Sequence, residues 1–121
     1  MAIKKNITEE FLQGVKDIEE VFFNMGYNQL SYLEKGYACY VQYKNKDCIV
    51  EFIFGPPEYQ IEILIYVAKE KYAFKDLLRI PAIENWVRIN RYVQGDKRKL
   101  KNELLWFVDL LKFALPNVCL D

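Results

Sequence analysis

The chain has 121 residues, of which 52% are hydrophobic and 16% aromatic, and its 17 basic and 17 acidic side chains give a net charge of zero. It has no histidine, so catalytic relays built on imidazole are excluded and the commonest protein metal ligand is missing. The zero net charge argues against a dedicated nucleic-acid binder, because such proteins rely on excess positive charge. We therefore expect a single domain over residues 1–121, with no catalytic centre, metal or cofactor.

The charges are unevenly divided along the chain. Residues 1–65 carry six Lys and ten Asp or Glu, a net charge of −4, whereas residues 66–121 carry eleven Lys or Arg and seven Asp or Glu, a net charge of +4. This division indicates either ordinary solvated charges on two different halves or a dipolar surface that steers a charged partner.

The ends and the cysteines bear on the cellular compartment. The start, MAIKKNITEE, has no apolar segment typical of a secretory signal, and no run of 18 apolar residues could span a bilayer. Cys39, Cys48 and Cys119 have no metal-ligand spacing. We expect a cytoplasmic protein without membrane contact, whose three thiols are reduced and lie in or near the core.

The first predicted element is a helix over residues 8–25. Thr8 is a suitable N-cap, and Glu9 and Glu10 follow in the first turn, where the helix dipole favours carboxylates. Gly26 is expected to end the helix. The buried stripe, which repeats at helical spacing, consists of Phe11, Val15, Ile18, Phe22 and Met25.

The middle of the chain alternates with a period of two and predicts strands. The three runs are residues 37–44, 47–54 and 59–67, and a short strand near 29–34 would extend the sheet to four. Short links favour antiparallel pairing in a meander. With Asn45-Lys46 as a two-residue turn and residues 55–58 as a four-residue turn, Tyr40 faces Glu51, which also faces Glu62.

This register divides the strands between two faces. The predicted core face carries Cys39, Val41, Tyr43, Cys48, Val50, Phe52, Phe54, Ile61, Ile63 and Ile65. The second face mixes polar and large apolar side chains, namely Tyr40, Gln42, Ile49, Glu51, Ile53, Gln60, Glu62, Leu64 and Tyr66.

The C-terminal third is predicted to be helical. A short helix or turn over residues 74–79 precedes a helix that begins at Pro81 and packs Ile83, Trp86 and Val87 inward. After a break at Gly95-Asp96, a helix over residues 97–115 ends before Pro116. Its apolar stripe is Leu100, Leu104, Val108, Leu111 and Leu115. The fold class is therefore α+β, an antiparallel three- to four-stranded meander packed by an N-terminal helix and C-terminal helices.

The second face is the leading candidate site. Like charges opposed across strands are unfavourable, so Glu51 and Glu62 beside Tyr40 could await a cationic group. Leu64 and Tyr66 add apolar contact area. The alternatives are two solvated glutamates on an open face, or an acid/base pair in an enzyme, although two carboxylates without further ligands make a poor site.

A second candidate is the segment around Trp86, where Arg88, Arg91 and Tyr92 lie near one another on one helix face. Aromatic and arginine side chains are enriched in protein interfaces, and they also stack on nucleobases. The alternative is a core tryptophan with solvated arginine neighbours. The basic residues of the run 97–101 lie at a predicted helix start, where the dipole disfavours cations, which hints at an anion.

Several patterns together resemble the small single-domain immunity proteins encoded beside bacterial polymorphic or contact-dependent toxins. They are the N-terminal helix ending at Gly26-Tyr27, the strand runs CIVEFIF and YQIEILIYV, and the following YAFKDLLRIP. The resemblance implies a cytoplasmic, non-catalytic protein that binds and inhibits one cognate toxin domain. The alternatives are a small regulatory or structural module that forms a homodimer through the second face, and an enzyme that uses Glu51 and Glu62.

Overall fold

The computed structural model describes residues 2–46, 48–55, 60–90 and 100–118. A long helix comes first, five strands follow, and three helices complete the order. The elements are α1 (Ala2–Asn24), β1 (Asn28–Lys35), β2 (Ala38–Asn45), β3 (Cys48–Gly55), β4 (Gln60–Val67), β5 (Glu70–Ala73), α2 (Phe74–Leu77), α3 (Pro81–Ile89) and α4 (Leu100–Val118).

The strands form one antiparallel sheet in the order β1-β2-β3-β4-β5, so each strand pairs with its neighbour along the chain. The predicted α+β class and the antiparallel meander are confirmed. The predicted strand number of three to four is too low. β1 is the short strand expected near residues 29–34, whereas β5 was not predicted and pairs with the end of β4.

The predicted register is wrong by two residues at both hairpins. Tyr40 faces Ile53, and Glu51 lies between Gln42 on β2 and Leu64 on β4. Each of the two strands before a turn ends one residue later than predicted, at Asn45 and at Gly55, and the next strand begins one residue later, at Cys48 and at Gln60. A two-residue shift preserves which face each side chain points to, because side chains alternate with a period of two.

The core face is consequently as predicted, and all ten of its side chains are buried. α1 and α4 pack against each other and share a core cluster with this face. Phe11 stacks on Phe54 with ring centroids 4.8 Å apart, and Phe22 stacks on Tyr43 at 4.4 Å. Phe22 also meets Phe52 edge-on at 5.8 Å, so aromatic pairs connect α1 to β2 and β3.

α1 begins at Ala2, so Thr8 lies inside the helix and the prediction that it is the N-cap is wrong. Its end is as predicted. Gly26 has a φ of +91°, the Gly26 amide donates to the Phe23 carbonyl, and the Tyr27 amide donates to the Phe22 carbonyl at 2.8 Å. These bonds form a Schellman motif, and the Phe22–Tyr27 ring contact at 6.0 Å is its usual hydrophobic partner.

α4 covers residues 100–118 and continues through Pro116, so the prediction that the helix ends before Pro116 is wrong. Residues 97–99 of the predicted helix lie outside the described residues. Leu104, Val108, Leu111 and Leu115 of the predicted stripe are buried. In α3, which begins at Pro81 as expected, Ile83 is buried while Trp86 and Val87 are partly buried against the core.

The cysteines differ from the prediction in one respect. Cys39 and Cys48 are both buried, as expected, and Cys39 is a free thiol. Cys48 is disulfide-bonded, so the prediction that all three thiols are reduced is wrong. Cys119 lies outside the described residues.

Candidate functional site

The sheet face opposite the core is the surface on which most predicted site residues meet. We call it the open face. It comprises the alternate side chains of the three central strands, namely Tyr40, Gln42, Ile49, Glu51, Ile53, Gln60, Glu62, Leu64 and Tyr66. Its five apolar or aromatic members are half-buried, and among the described residues none of them belongs to the core cluster.

Glu51 is at the centre of this face and is only 7% exposed. Its carboxylate accepts hydrogen bonds from Gln42 Nε2 and from the Tyr66 hydroxyl, each at 3.1 Å. Burial and the Glu51 carboxylate raise the pKa of Tyr66, so this hydroxyl stays protonated and continues to donate. The two donors compensate the buried carboxylate for part of its lost hydration.

The register predicted from the sequence placed Glu51 directly opposite Glu62, and that prediction is wrong. Glu62 faces Ile53, is exposed, and lies diagonally from Glu51. Diagonal positions on one sheet face are separated by about 7–8 Å, which is a weaker repulsion than a directly opposed pair. The structure therefore brings Tyr66, Leu64 and Glu51 together, but it leaves Glu62 at the rim.

Sequence reasoning missed Gln42 as a partner of Glu51, and it missed the contribution of β1. Leu33 pairs with Tyr40 and extends the open face, where it is 55% exposed. All eight residues of β1 are exposed on this edge strand, and Leu30 lies at an irregularity in its pairing. The sequence feature that could have indicated this apolar contribution is the pair of leucines, Leu30 and Leu33, in a strand whose other residues except Tyr32 are polar.

On the core side of the same edge, the Tyr32 hydroxyl donates to Glu34 Oε2 at 2.5 Å and lies 3.7 Å from the Cys39 sulfur. Burial raises the pKa of the Cys39 thiol. A buried thiol with a raised pKa is a poor nucleophile, because the thiolate is the reactive form. This cluster therefore supports the edge of the sheet rather than covalent chemistry.

The second predicted site is only partly described. Trp86 packs against Trp106 at 5.7 Å and stacks on Phe113 at 6.1 Å. Arg88 is exposed, pairs with Glu84 at 3.7 Å and donates to Asn85 Oδ1 at 2.9 Å. These contacts match the alternative of a packed tryptophan beside a solvated arginine. Arg91, Tyr92 and the basic residues 97–99 lie outside the described residues.

Two further findings concern ligands and membranes. Within the described ranges, no group of three or more His, Cys, Asp or Glu side chains is arranged to hold a metal ion. Among the helices of those ranges, none is long and apolar enough to cross a membrane.

In comparisons with known proteins, no family model, no curated protein and no solved structure matches this chain.

Proposed function

We propose that this protein acts by binding a partner protein through the open face, and that the partner is a toxin domain that it neutralises. The observation that carries the first part is the half-buried apolar surface of the open face, which lies outside the core cluster and surrounds a hydrogen-bonded carboxylate. The second part rests on the resemblance to bacterial immunity proteins.

The distribution of side chains on the open face supports a protein interface. Tyr40, Ile53, Leu64 and Tyr66 form its apolar centre, while charged residues stand at its margins. The exposed margin comprises Lys35, Lys44, Glu62 and Lys71. Interfaces commonly have such an apolar, aromatic centre that is depleted of charge and a polar rim.

Glu51 would provide specificity within that centre. A carboxylate has about four acceptor positions, and Gln42 and Tyr66 use two of them. A partner that brings an Arg or Lys side chain would find the remaining positions preoriented. A partner without a donor there would bury the carboxylate further without compensation, which is unfavourable.

The proposed role in toxin neutralisation requires shape, charge and aromatic area, and it requires no catalytic group. The disulfide at Cys48 is the feature that fits it least, because immunity proteins of this kind act in the cytoplasm, where thiols are usually reduced.

The test is growth rescue. The genes adjacent to the one encoding this protein are searched for a toxin domain, which is expressed in a bacterial host with and without this protein, and the affinity of the purified pair is measured. We expect wild-type protein to restore growth. Leu33→Asp places a charge on the open face and should weaken binding by about 30-fold, the effect of losing a contact worth about 2 kcal/mol.

Ile89→Asp is the matched variant at the second predicted site, because Ile89 is 69% exposed on α3, which packs on α4. Weaker binding by this variant than by Leu33→Asp would assign the interface to α3. Thermal unfolding of both variants checks that they remain folded. Equal binding by Leu33→Asp and wild type would contradict the open face as the interface. Failure of the wild-type chain to bind or rescue would contradict toxin neutralisation.

One observation favours a second candidate, a homodimeric binding module. β1 is an edge strand with all eight residues exposed, and such edges can pair with the same strand of another copy. Sedimentation equilibrium over a range of concentrations tests it. A concentration-dependent dimer that Leu33→Asp dissociates would support the homodimer, and a monomer at all concentrations would contradict it.

A further inference from the structure

A cleft of about 350 Å³ opens between the second half of α1 and the start of β1, on the helix side of the sheet. One wall comes from α1. The lining residues are Lys16, Glu19, Glu20 and Phe23 of α1, with Tyr27, Asn28, Gln29 and Tyr43 opposite. Its volume is within the range of small-molecule and side-chain binding pockets. This cleft is distinct from the open face, because Tyr43 belongs to the core face.

Tyr43 supplies the observation that points to a ligand. The residue is fully buried, and among the described residues its hydroxyl has no hydrogen-bond partner. Unsatisfied buried hydroxyls are uncommon and unfavourable, so each one calls for an explanation. Tyr43 lines the cleft together with Glu19, and the Glu19 carboxylate acts on the Tyr43 hydroxyl electrostatically.

The electrostatics of the cleft favour a cation. Its walls carry the carboxylates of Glu19 and Glu20 against the single ammonium group of Lys16. α1 ends beside it, and the last turn of α1 has no basic residue to offset the negative end of the helix dipole. The Phe23 ring is 65% exposed there, and the face of an aromatic ring attracts cations.

We propose that this cleft binds an alkylguanidinium or alkylammonium group. The cation lies between the Glu19 and Glu20 carboxylates, one of its N–H groups donates to the Tyr43 hydroxyl oxygen, and the alkyl stem packs on Phe23 and Tyr27. A free organic cation and the side chain of an Arg or Lys residue share this chemistry. The proposal is independent of the open face, so each can fail without the other.

The test is an NMR titration of the isotope-labelled full chain with propylguanidinium chloride, with sodium butyrate as the anionic probe at equal ionic strength. We expect saturable shifts of the backbone amides of Tyr27 and Gln29 with the cation and none with butyrate. Absence of shifts, or equal shifts with both probes, would overturn the proposal.

A second titration, with N-acetyl-arginine amide, distinguishes the two sources of the bound cation. Binding at least as tight as that of propylguanidinium assigns the site to a protein side chain, and weaker binding assigns it to a small free cation.

Two pairs of neighbouring glutamates on α1 provide a matched comparison. Replacing Glu19 and Glu20 together by Gln should weaken propylguanidinium binding by about fivefold, as expected for two exposed ion pairs. The same change at Glu9 and Glu10, which are exposed earlier on the helix, should leave it unchanged. Equal effects of the two double variants would overturn the assignment of the carboxylates.

Tyr43→Phe tests the hydroxyl. It should weaken binding by about tenfold, because one hydrogen bond to a charged group is lost. Since the hydroxyl has no partner in the free protein, the variant should melt at no lower temperature than wild type. Unchanged affinity, or a clearly lower melting temperature, would show that the hydroxyl does not serve the ligand.

Discussion

The two faces of β3 carry similar residues and have different environments. Val50 and Phe52 point to the helices and are fully buried, whereas Ile49 and Ile53 point to the open face and are half-buried. The difference is therefore not one of hydrophobicity. It arises because α1 and α4 cover one face, so that the apolar side chains of the other face keep part of their surface exposed.

The largest effect expected from this comparison is on stability. Ile65→Ala removes a fully buried side chain from the core face and should lower the free energy of unfolding by about 2–5 kcal/mol, because it leaves a cavity. Ile53→Ala makes the same change on the open face and should cost about 1 kcal/mol or less. Urea denaturation measures both. Equal losses would show that the two faces are equally packed.

The next effect concerns the disulfide at Cys48, which lies on the core face. Reduction of the disulfide at Cys48 should lower the free energy of unfolding by about 2–4 kcal/mol, the usual contribution of such a bond. Thiol titration of the denatured chain should find fewer than three thiols before reduction, since the sequence contains three cysteines. Three reactive thiols before reduction would be inconsistent with the bond.

A smaller effect is expected at the two glutamates of the open face. Glu51→Ala leaves Gln42 Nε2 and the Tyr66 hydroxyl without their acceptor and should lower the free energy of unfolding by about 1–2 kcal/mol. Glu62→Ala changes an exposed side chain and should stay within about 0.5 kcal/mol of wild type. Similar results for both would mean that the Glu51 hydrogen bonds do not stabilise the fold.

The smallest effect is on the pH dependence of stability. Burial, and secondarily the Glu19 carboxylate, raise the pKa of Tyr43 well above its ordinary value of 10.0. Above about pH 10 the unfolded chain loses this proton and the folded chain keeps it, so stability falls as pH rises. One such group contributes at most about 1.4 kcal/mol per pH unit. Tyr43→Phe should reduce the fall measured between pH 9 and pH 11, and an unchanged fall would contradict a raised pKa of this hydroxyl.

The division of the sheet into two faces could be predicted from the sequence, but the register could not. Periodicity assigns each side chain to a face, and a shift of two residues leaves that assignment intact. Whether Asn45 belongs to a turn or a strand depends on backbone pairing with Cys48, and the residue type does not decide it. The burial of Glu51 depends on that register, because Gln42 and Tyr66 reach it only in the observed pairing.

β5 was missed because the turn before it has an unusual residue. Ala68 has a φ of +55°, a conformation that normally favours Gly or Asn, so the sequence contains no turn signal at this position. The environment of Trp86 was likewise unpredictable, since its ring partners Trp106 and Phe113 belong to α4, far along the chain.

The sequential order of the meander has a consequence for how the chain folds. Every strand pairing joins neighbours in sequence, so the sheet can form through short loop closures, which are fast. The contact between α1 and α4 joins the two ends of the chain and needs the longest closure. We therefore expect the terminal helices to dock late, so that substitutions between them mainly accelerate unfolding, whereas substitutions in the β2–β3 hairpin slow folding.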